Sequence, residues 1–389
     1  MNLCIDLSPA VHGRAGLGRL AHELTAALLA LETEHTFCAF YNAVASAQVV
    51  APFDRMAQIR LETADKPWRM GVLLAHTLRR PQEKLFTSAP FPVQLFHATD
   101  HLLPYLPQTP TVFTLGDLTF FSHAQTHARL NRTFLRLMMP LFLRRANGII
   151  AISASTQRDM EAQYGPLSTP SRVIYPGVHS RFHPVEDDSR LAQVRARYNL
   201  PERFVLYVGT IEPRKNLPVL IRAFQQAALE DQAALDGVKL VIGGKKGWMY
   251  EETFAQVQAL GLGDRVIFTG FVADDDLPVL LSLAELFVFP SQYEGFGFPV
   301  LEAMACGTPV ITSNVSSLPE VAGDAALLVS PMDVAGVARA IRRVMGDAGL
   351  RMAMAEKGIA QAAGFSWARA ARETLEFYQE IVHETLRSS

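Results

Sequence analysis

A chain of 389 residues is longer than one ordinary hydrophobic core and predicts two domains. Apolar content of 49%, 19% charged residues and a net charge of −2 describe a globular protein with much buried sheet, and they exclude a general polyanion partner such as nucleic acid. The charge is unevenly divided: residues 1–180 carry 16 Lys/Arg against 12 Asp/Glu, whereas residues 181–389 carry 20 against 26, so the two halves are expected to face different partners.

Met1 leads at once into the strand-like Leu3–Leu7 with no basic region or cleavage site, so no secretory leader is expected. Gly13, Gly16 and Gly18 follow as a glycine loop, but no suitably placed acidic residue follows to make it a dinucleotide fingerprint. Further strands are predicted at Thr36–Tyr41, Val93–His97, Thr111–Thr114 and Gly148–Ile152. Trp68–Arg80 is basic and apolar. Arg129, Arg132 and Arg136 follow helical spacing among Leu130, Phe134, Leu135, Leu137 and Met138, with a kink expected at Pro140 before Arg144 and Arg145. Such a segment fits either an anionic membrane surface or a helix burying its apolar side with its arginines in solvent.

The break between halves is placed at Ile174–Val178 and the polar stretch to about Arg190, giving domains 1–180 and 181–366. Beyond it strands and helices alternate: Phe204–Val208, helix Leu217–Ala228, Lys239–Ile242, helix Tyr250–Leu260, Val266–Phe268, a capped helix Asp274–Ala284, Leu286–Phe289, helix Pro299–Ala305 and Val310–Thr312. Near-continuous apolar strands separated by helices mean a parallel sheet covered on both faces, an α/β doubly wound domain. Trp367–Thr385 is an amphipathic helix. Cys4, Cys38 and Cys306 are few, odd in number and without metal spacing, which implies a reduced, cytoplasmic compartment. No apolar run approaches a membrane span, so any membrane contact is expected to be peripheral.

Two strand ends carry the chemistry. After Phe204–Val208 comes Gly209-Thr210-Ile211-Glu212-Pro213-Arg214-Lys215-Asn216, in which Asn216 can cap the next helix and two cations lie at a helix start, a setting that suits a diphosphate. After Leu286–Phe289 comes Glu294-Gly295-Phe296-Gly297-Phe298-Pro299, with Glu302 eight positions beyond Glu294, in what reads as the first turn of a helix stopped at Gly307. Carboxylates at strand ends can accept hydrogen bonds from a sugar diol, and the N–H groups of Gly297 and Phe298 can face a phosphate. Asp274-Asp275-Asp276 has the look of a metal site, but its place before Leu277-Pro278 marks it as helix capping, and no metal is expected.

The stretch Glu294–Pro309 resembles the EX7E signature of the retaining glycosyltransferases of family 4, and Arg214-Lys215-Asn216 resembles their phosphate-binding segment. The resemblance covers nearly the whole chain, most densely from about Val173 to Pro331. It implies a GT-B fold: two Rossmann-like domains facing across a cleft, with the C-terminal helix 367–389 packing back on the first. It implies a nucleotide-sugar donor in the second domain and an acceptor in the first, a metal-independent reaction, Lys215 and Arg214 on the diphosphate, Glu294 on the donor sugar and Glu302 on the ribose. Gly16 would approach the donor's β-phosphate; Thr210, Gly243, Lys245, Phe271 and Val272, with Gly295, Phe296, Gly297 and Phe298, would complete the donor site. Relatives usually carry a His-Asp pair where this chain has Gly116 and Asp117; Asp117 is kept as catalytic, and His97, His101 and His123 are candidate substitutes for the imidazole. The motifs look most like bacterial mannosyltransferases that use GDP-mannose and extend an oligosaccharide or polyprenyl-diphosphate-linked acceptor, peripheral at the cytoplasmic membrane face. UDP-glucose or UDP-N-acetylglucosamine as donor, a nucleotide-sugar 2-epimerase of the same fold, and a catalytically silent partner subunit are the alternatives.

Overall fold

The computed structural model describes residues 1–43, 52–122 and 129–388. They form two compact units, Met1–Gly177 together with Ser366–Ser389, and Val178–Phe365. Among the described residues no helix is long and apolar enough to cross a membrane.

The sheet of unit 1 holds β1 (Asn2–Asp6), β2 (Thr36–Asn42), β3 (Ala57–Leu61), β4 (Leu95–Ala98), β5 (Thr111–Leu115), β6 (Gly148–Ala151) and β7 (Ser171–Val173), in the order β3-β2-β1-β4-β5-β6-β7. Each pairing is parallel. The central strands β4, β5 and β6 are buried throughout, which is why they read as apolar runs. The edge strands β3 and β7 are only partly buried and carry Gln58, Arg60, Ser171 and Arg172, so their apolar signal is too weak to announce them. The helix Arg129–Arg145 continues through Pro140 instead of breaking there. Met138, Met139, Phe142 and Leu143, all fully buried, hold it in the core on either side of the proline, offsetting a cost of roughly 3 kcal/mol.

The helix Trp367–Ser388 belongs to this unit and packs on the helix Ala15–Leu29. Gly148 makes room for it: a Cβ there would meet Ile381 and Phe377 at 2.9 Å. Beneath it His97 is fully buried, its Nε2 2.6 Å from Thr114 Oγ1 and its Nδ1 2.5 Å from the Tyr378 hydroxyl. His97 is therefore a pin between sheet and helix. Burial pushes its pKa down to about 3, so the folded chain keeps it neutral while the unfolded chain takes up a proton near 6.5. Its contribution to stability is present above about pH 6.5 and is lost as the pH falls towards 3. Urea midpoints are expected to fall between about pH 7 and pH 5, and the fall should be shallower in a His97→Gln variant.

Unit 2 repeats the plan with β8 (Phe204–Val208), β9 (Lys239–Gly243), β10 (Val266–Gly270), β11 (Leu286–Phe289), β12 (Val310–Ser313) and β13 (Leu327–Val329), ordered β10-β9-β8-β11-β12-β13 and parallel throughout. The edge strand β13 follows Val310–Thr312, where the sequence suggested the series would close. All four residues of β11 are fully buried, and Phe287, Phe289 and Tyr207 form a run of stacked rings 5.7–5.9 Å apart. Strand order reverses between β8 and β11, so the loops leaving their carboxyl ends flank the switch-point crevice where open α/β sheets bind ligands.

The acidic run Asp274–Asp276 does not cap in the expected way. The helix begins at Leu277, and Asp276 makes no side-chain cap bond. Its carboxylate is almost fully buried and accepts from Arg190 at 2.9 Å, Arg197 at 2.6 Å and the Tyr198 hydroxyl at 2.9 Å. A buried charge needs opposite charge more than it needs a backbone N–H, and it ties this helix to Asp188–Arg197 instead.

Candidate active site

The loop after β8 turns through a short 3-10 segment, Pro213–Lys215, and hands over to the helix Leu217–Glu230 at Asn216. Asn216 occupies the capping position, but its backbone is left-handed, with φ 61°, and its side chain makes no cap bond. Its Nδ2 instead donates to Pro290 O at 3.1 Å and Pro331 O at 2.6 Å, pinning the loops after β11 and β13 to the loop after β8. That orientation holds Lys215 nearly buried, its Nζ 5.0 Å from the centre of the Phe289 ring.

Across the switch point stands Glu294, also nearly buried. Its Oε1 accepts from Lys215 Nζ at 2.6 Å and from Ser291 Oγ at 2.6 Å, while its Oε2 lies 2.9 Å from an Arg214 nitrogen. Arg214 is itself oriented by Glu212 at 2.8 Å and by the Tyr293 carbonyl at 2.5 Å. Burial alone would raise the Glu294 pKa; Arg214, Lys215 and the Ser291 hydrogen bond overcome it and hold the carboxyl down at about 2. Residues 79 positions apart thus form one ionised cluster.

The loop carrying Glu294 is clasped from behind. Glu294 N donates to Ser316 Oγ at 3.0 Å, and Ser317 Oγ donates to Glu294 O at 2.9 Å and to Phe296 O at 2.6 Å. Phe296 is buried against Phe298 and Phe365, so its ring anchors the loop. Gly297, at φ +117°, turns the chain into the helix Phe298–Ala305. Gly295, between Glu294 and Phe296, is half-buried. Glu302 is the fifth residue of that helix, one position deeper than the sequence suggested, because the helix starts at Phe298 with Pro299 second. Helical side chains lean towards the N-terminus, so the buried Glu302 is directed back along the helix towards this loop.

At the ends of β9 and β10 the chain is crowded. A Cβ on Gly244 would fall 1.9 Å from Gly209 O, and one on Gly243 would meet Val272 at 3.1 Å. Thr210 O accepts from the buried Tyr207 hydroxyl at 3.3 Å. Lys245 extends over the ring of Phe271, 4.5 Å from its centre, and Phe271 is 58% exposed, an aromatic surface open to a ligand.

In unit 1, Gly16 lies in the first turn of the helix Ala15–Leu29, and a Cβ there would meet open space, whereas one on Gly18 would meet Pro9 O at 2.8 Å. At Gly116, where the resemblance leads one to expect histidine, a Cβ would lie 2.9 Å from a terminal methyl of Leu17, a flexible side-chain end that can move aside. Asp117 Oδ1 accepts from Thr119 N at 3.0 Å and Thr119 Oγ1 at 2.6 Å, at the start of the short helix Thr119–Ser122. Of the histidines proposed in place of the missing one, His97 is the internal pin described above and has no outward face. His101 stands against Phe120, and His123 lies outside the described residues. A polar network that sequence spacing did not signal sits at the β1/β4 switch point: Arg14 binds both oxygens of the buried Asp100 at 2.5 Å and Asp65 at 2.9 Å.

Residues 14–182 match the family model described as Glycosyltransferase Family 4, and residues 192–361 match that of Glycosyl transferases group 1. The chain belongs to these glycosyltransferases. It is 27% identical to the O-antigen chain mannosyltransferase B of Escherichia coli over 391 residues, covering 97% of this chain and 100% of that protein. It is 35% identical to a serotype-specific mannosyltransferase of Escherichia coli over 246 residues, but spans only 30% of that longer protein. Among solved structures, sucrose-phosphate synthase from Thermosynechococcus elongatus superposes with a TM-score of 0.78 at 22% identity, covering 99% of this chain and 100% of that one, which establishes the shared GT-B fold.

For a glycosyltransferase the arrangement in unit 2 has a definite chemical capacity. Two cations fixed at a strand end can take a diphosphate bidentately, and a carboxylate bound to both is already ionised and oriented. Ser291, Ser316 and Ser317 position that carboxylate and its loop. Their small hydroxyls gave no signal in the sequence beyond the ordinary composition of turns.

Proposed function

We propose that this glycosyltransferase moves a hexosyl group, mannose from GDP-mannose, with retention at the anomeric carbon, onto a lipid-linked oligosaccharide in cell-surface polysaccharide assembly. The observation that carries the reading is the Glu294–Lys215–Arg214 cluster at the switch point of unit 2. The names of the mannosyltransferase relatives support mannose, and the first of them supports O-antigen chain extension.

In this reading Glu294 holds the place of an anion. When a donor diphosphate arrives it takes over Lys215 and Arg214, and Glu294 is released to accept hydroxyls of the donor sugar. The two cations then stabilise the charge that grows on the departing diphosphate, the task a divalent metal performs elsewhere. Glu302 receives the ribose hydroxyls. With Glu294 engaged on the sugar hydroxyls it does not act as a nucleophile, and the reading takes substitution on the same face of the sugar, with the leaving phosphate helping to deprotonate the acceptor. Unit 1 supplies the acceptor side, at the cytoplasmic face of a membrane.

Thermal unfolding in the presence of GDP- and UDP-sugars tests the reading. A true donor at about a hundred times its dissociation constant stabilises by about 2.7 kcal/mol. GDP-mannose is expected to give the largest shift, with mannose transferred to a lipid-linked acceptor. A larger shift with UDP-glucose would replace the donor, an isomerised donor without transfer would indicate an epimerase, and no shift with any nucleotide sugar would sink the reading.

A further inference from the structure

Unit 1 has a switch point of its own, between β1 and β4, and polar residues from separate segments converge there. β1 ends at Asp6, β2 ends at Asn42, and Asp100 comes two residues after β4. Arg14 stands just before the helix Ala15–Leu29, and Asp65 opens the helix Asp65–Leu78.

The inner part of this network is closed. The Asp100 side chain is 2% exposed, with Arg14 on both its oxygens and the His101 backbone N–H donating at 2.7 Å. Asp6, also buried, accepts from Ser8 N at 2.8 Å and from Ser8 Oγ at 2.5 Å. Burial, and then the charge of Asp100, push the Asp6 carboxyl up to about 7.

The outer part is open. The Asp65 side chain is 41% exposed, although both of its oxygens are already oriented. Its Oδ2 accepts from Arg14 at 2.9 Å and its Oδ1 from Asn42 Nδ2 at 2.9 Å. Partial burial raises the Asp65 pKa, but the Asn42 hydrogen bond and the Arg14 charge reverse this and hold the carboxyl below its usual range. His12 Nε2 stands 3.4 Å from both Asp65 Oδ1 and Asn42 Oδ1, longer than an ordinary hydrogen bond.

A carboxylate has about four lone-pair sites, and Arg14 and Asn42 occupy only one on each oxygen of Asp65. Asp65 is thus an ionised acceptor, preset in direction, with capacity left on its exposed edge. That suits the paired hydroxyls of a sugar, which can donate to both oxygens of one carboxylate. It does not suit a phosphate. Two guanidiniums, Arg14 and Arg69, lie among three carboxyl groups, those of Asp6, Asp65 and Asp100. Drawing Arg14 to a phosphate would leave Asp100 buried and unpaired, the costly way to break a buried ion pair.

We propose that Asp65, oriented by Arg14 and Asn42 with His12 beside it, takes two hydroxyls of the acceptor's terminal sugar, and that this sugar is uncharged and not a sugar phosphate. The inference rests on the glycosyltransferase reading that gives unit 1 the acceptor. It adds the chemical class of the terminal sugar and the residue that reads it.

Saturation-transfer NMR on the full chain, with no donor present, reads this site alone. At least one of methyl α-mannoside and methyl α-glucoside is expected to give a signal, and mannose 6-phosphate and glucose 6-phosphate none. Asp65→Ala should weaken glycoside binding by roughly ten-fold or more, the worth of hydrogen bonds to a charged acceptor. Asp65→Asn keeps the size but gives up one acceptor oxygen, so its affinity should fall between wild type and Asp65→Ala. Its melting temperature and its nucleotide-sugar shift should match the wild type. Equal binding of the sugar phosphates, no signal from either glycoside, or unaltered binding by both variants would overturn the proposal. So would loss of the wild-type nucleotide-sugar shift in Asp65→Asn, which would mark a structural role. A nucleotide-sugar shift that persists in the first three cases leaves the donor reading in place. A glycoside signal without any nucleotide-sugar shift removes the donor reading alone.

Discussion

Replacing Lys215 by alanine is expected to lower the rate of glycosyl transfer by a factor of roughly 10²–10³, the cost of removing one fixed donor from a site where charge develops. The effect should appear chiefly in kcat, because the charge on the leaving diphosphate is largest in the transition state. Arg214 and Ser291 still hold Glu294 in this variant, so the buried carboxylate keeps two of its three partners and the fold survives. Single-turnover transfer from a radiolabelled donor measures it. A Lys215→Ala enzyme with unchanged kcat would remove Lys215 from the chemistry and return it to a structural ion pair.

Glu294→Gln carries the opposite signs in two assays. Transfer should fall by at least about a hundred-fold, since the hydrogen-bond acceptor for the sugar is weakened. Binding of the nucleoside diphosphate alone should tighten by roughly ten-fold, about the worth of one charge-assisted hydrogen bond, because the diphosphate no longer competes with a carboxylate for Lys215 and Arg214. Titration calorimetry with GDP reads this directly. Weaker GDP binding by the variant would mean that Glu294 supports the diphosphate site and does not occupy it.

Much of unit 2 was legible because its central strands are buried on both faces and must be apolar from end to end. The same physics explains what was missed. β3, β7 and β13 are edges or short, and all but one of their residues, Ile59, are only partly buried or exposed. The Glu294–Lys215 pair was foreseeable as two strand-end loops at one switch point, although Glu294 and Lys215 were assigned to different parts of a donor rather than to each other. Side-chain partners chosen by burial were not legible. Asp276 turns to Arg190 and Arg197, and Asn216 to Pro290 and Pro331, because each is buried among groups far away in sequence. Local propensity correctly placed both at helix starts and then assigned their side chains to caps that the tertiary structure does not use.

The helix Trp367–Ser388 has a consequence for how the chain is made. Unit 2 is one uninterrupted segment, Val178–Phe365, whereas unit 1 needs residues from both before and after it in sequence. His97 gains its Tyr378 partner, and Gly148 its cover of Phe377 and Ile381, only after the whole of unit 2 has been translated. At about 5–20 residues per second, the two hundred residues between Gly177 and Tyr378 take roughly 10–40 s to emerge. Through that interval the first-synthesised sheet stands with its β4–β6 face unroofed, while the unit translated second can already close. A nascent chain halted within unit 2 should therefore be the state that chaperones hold and proteases cut, and the order of completion runs opposite to the order of synthesis.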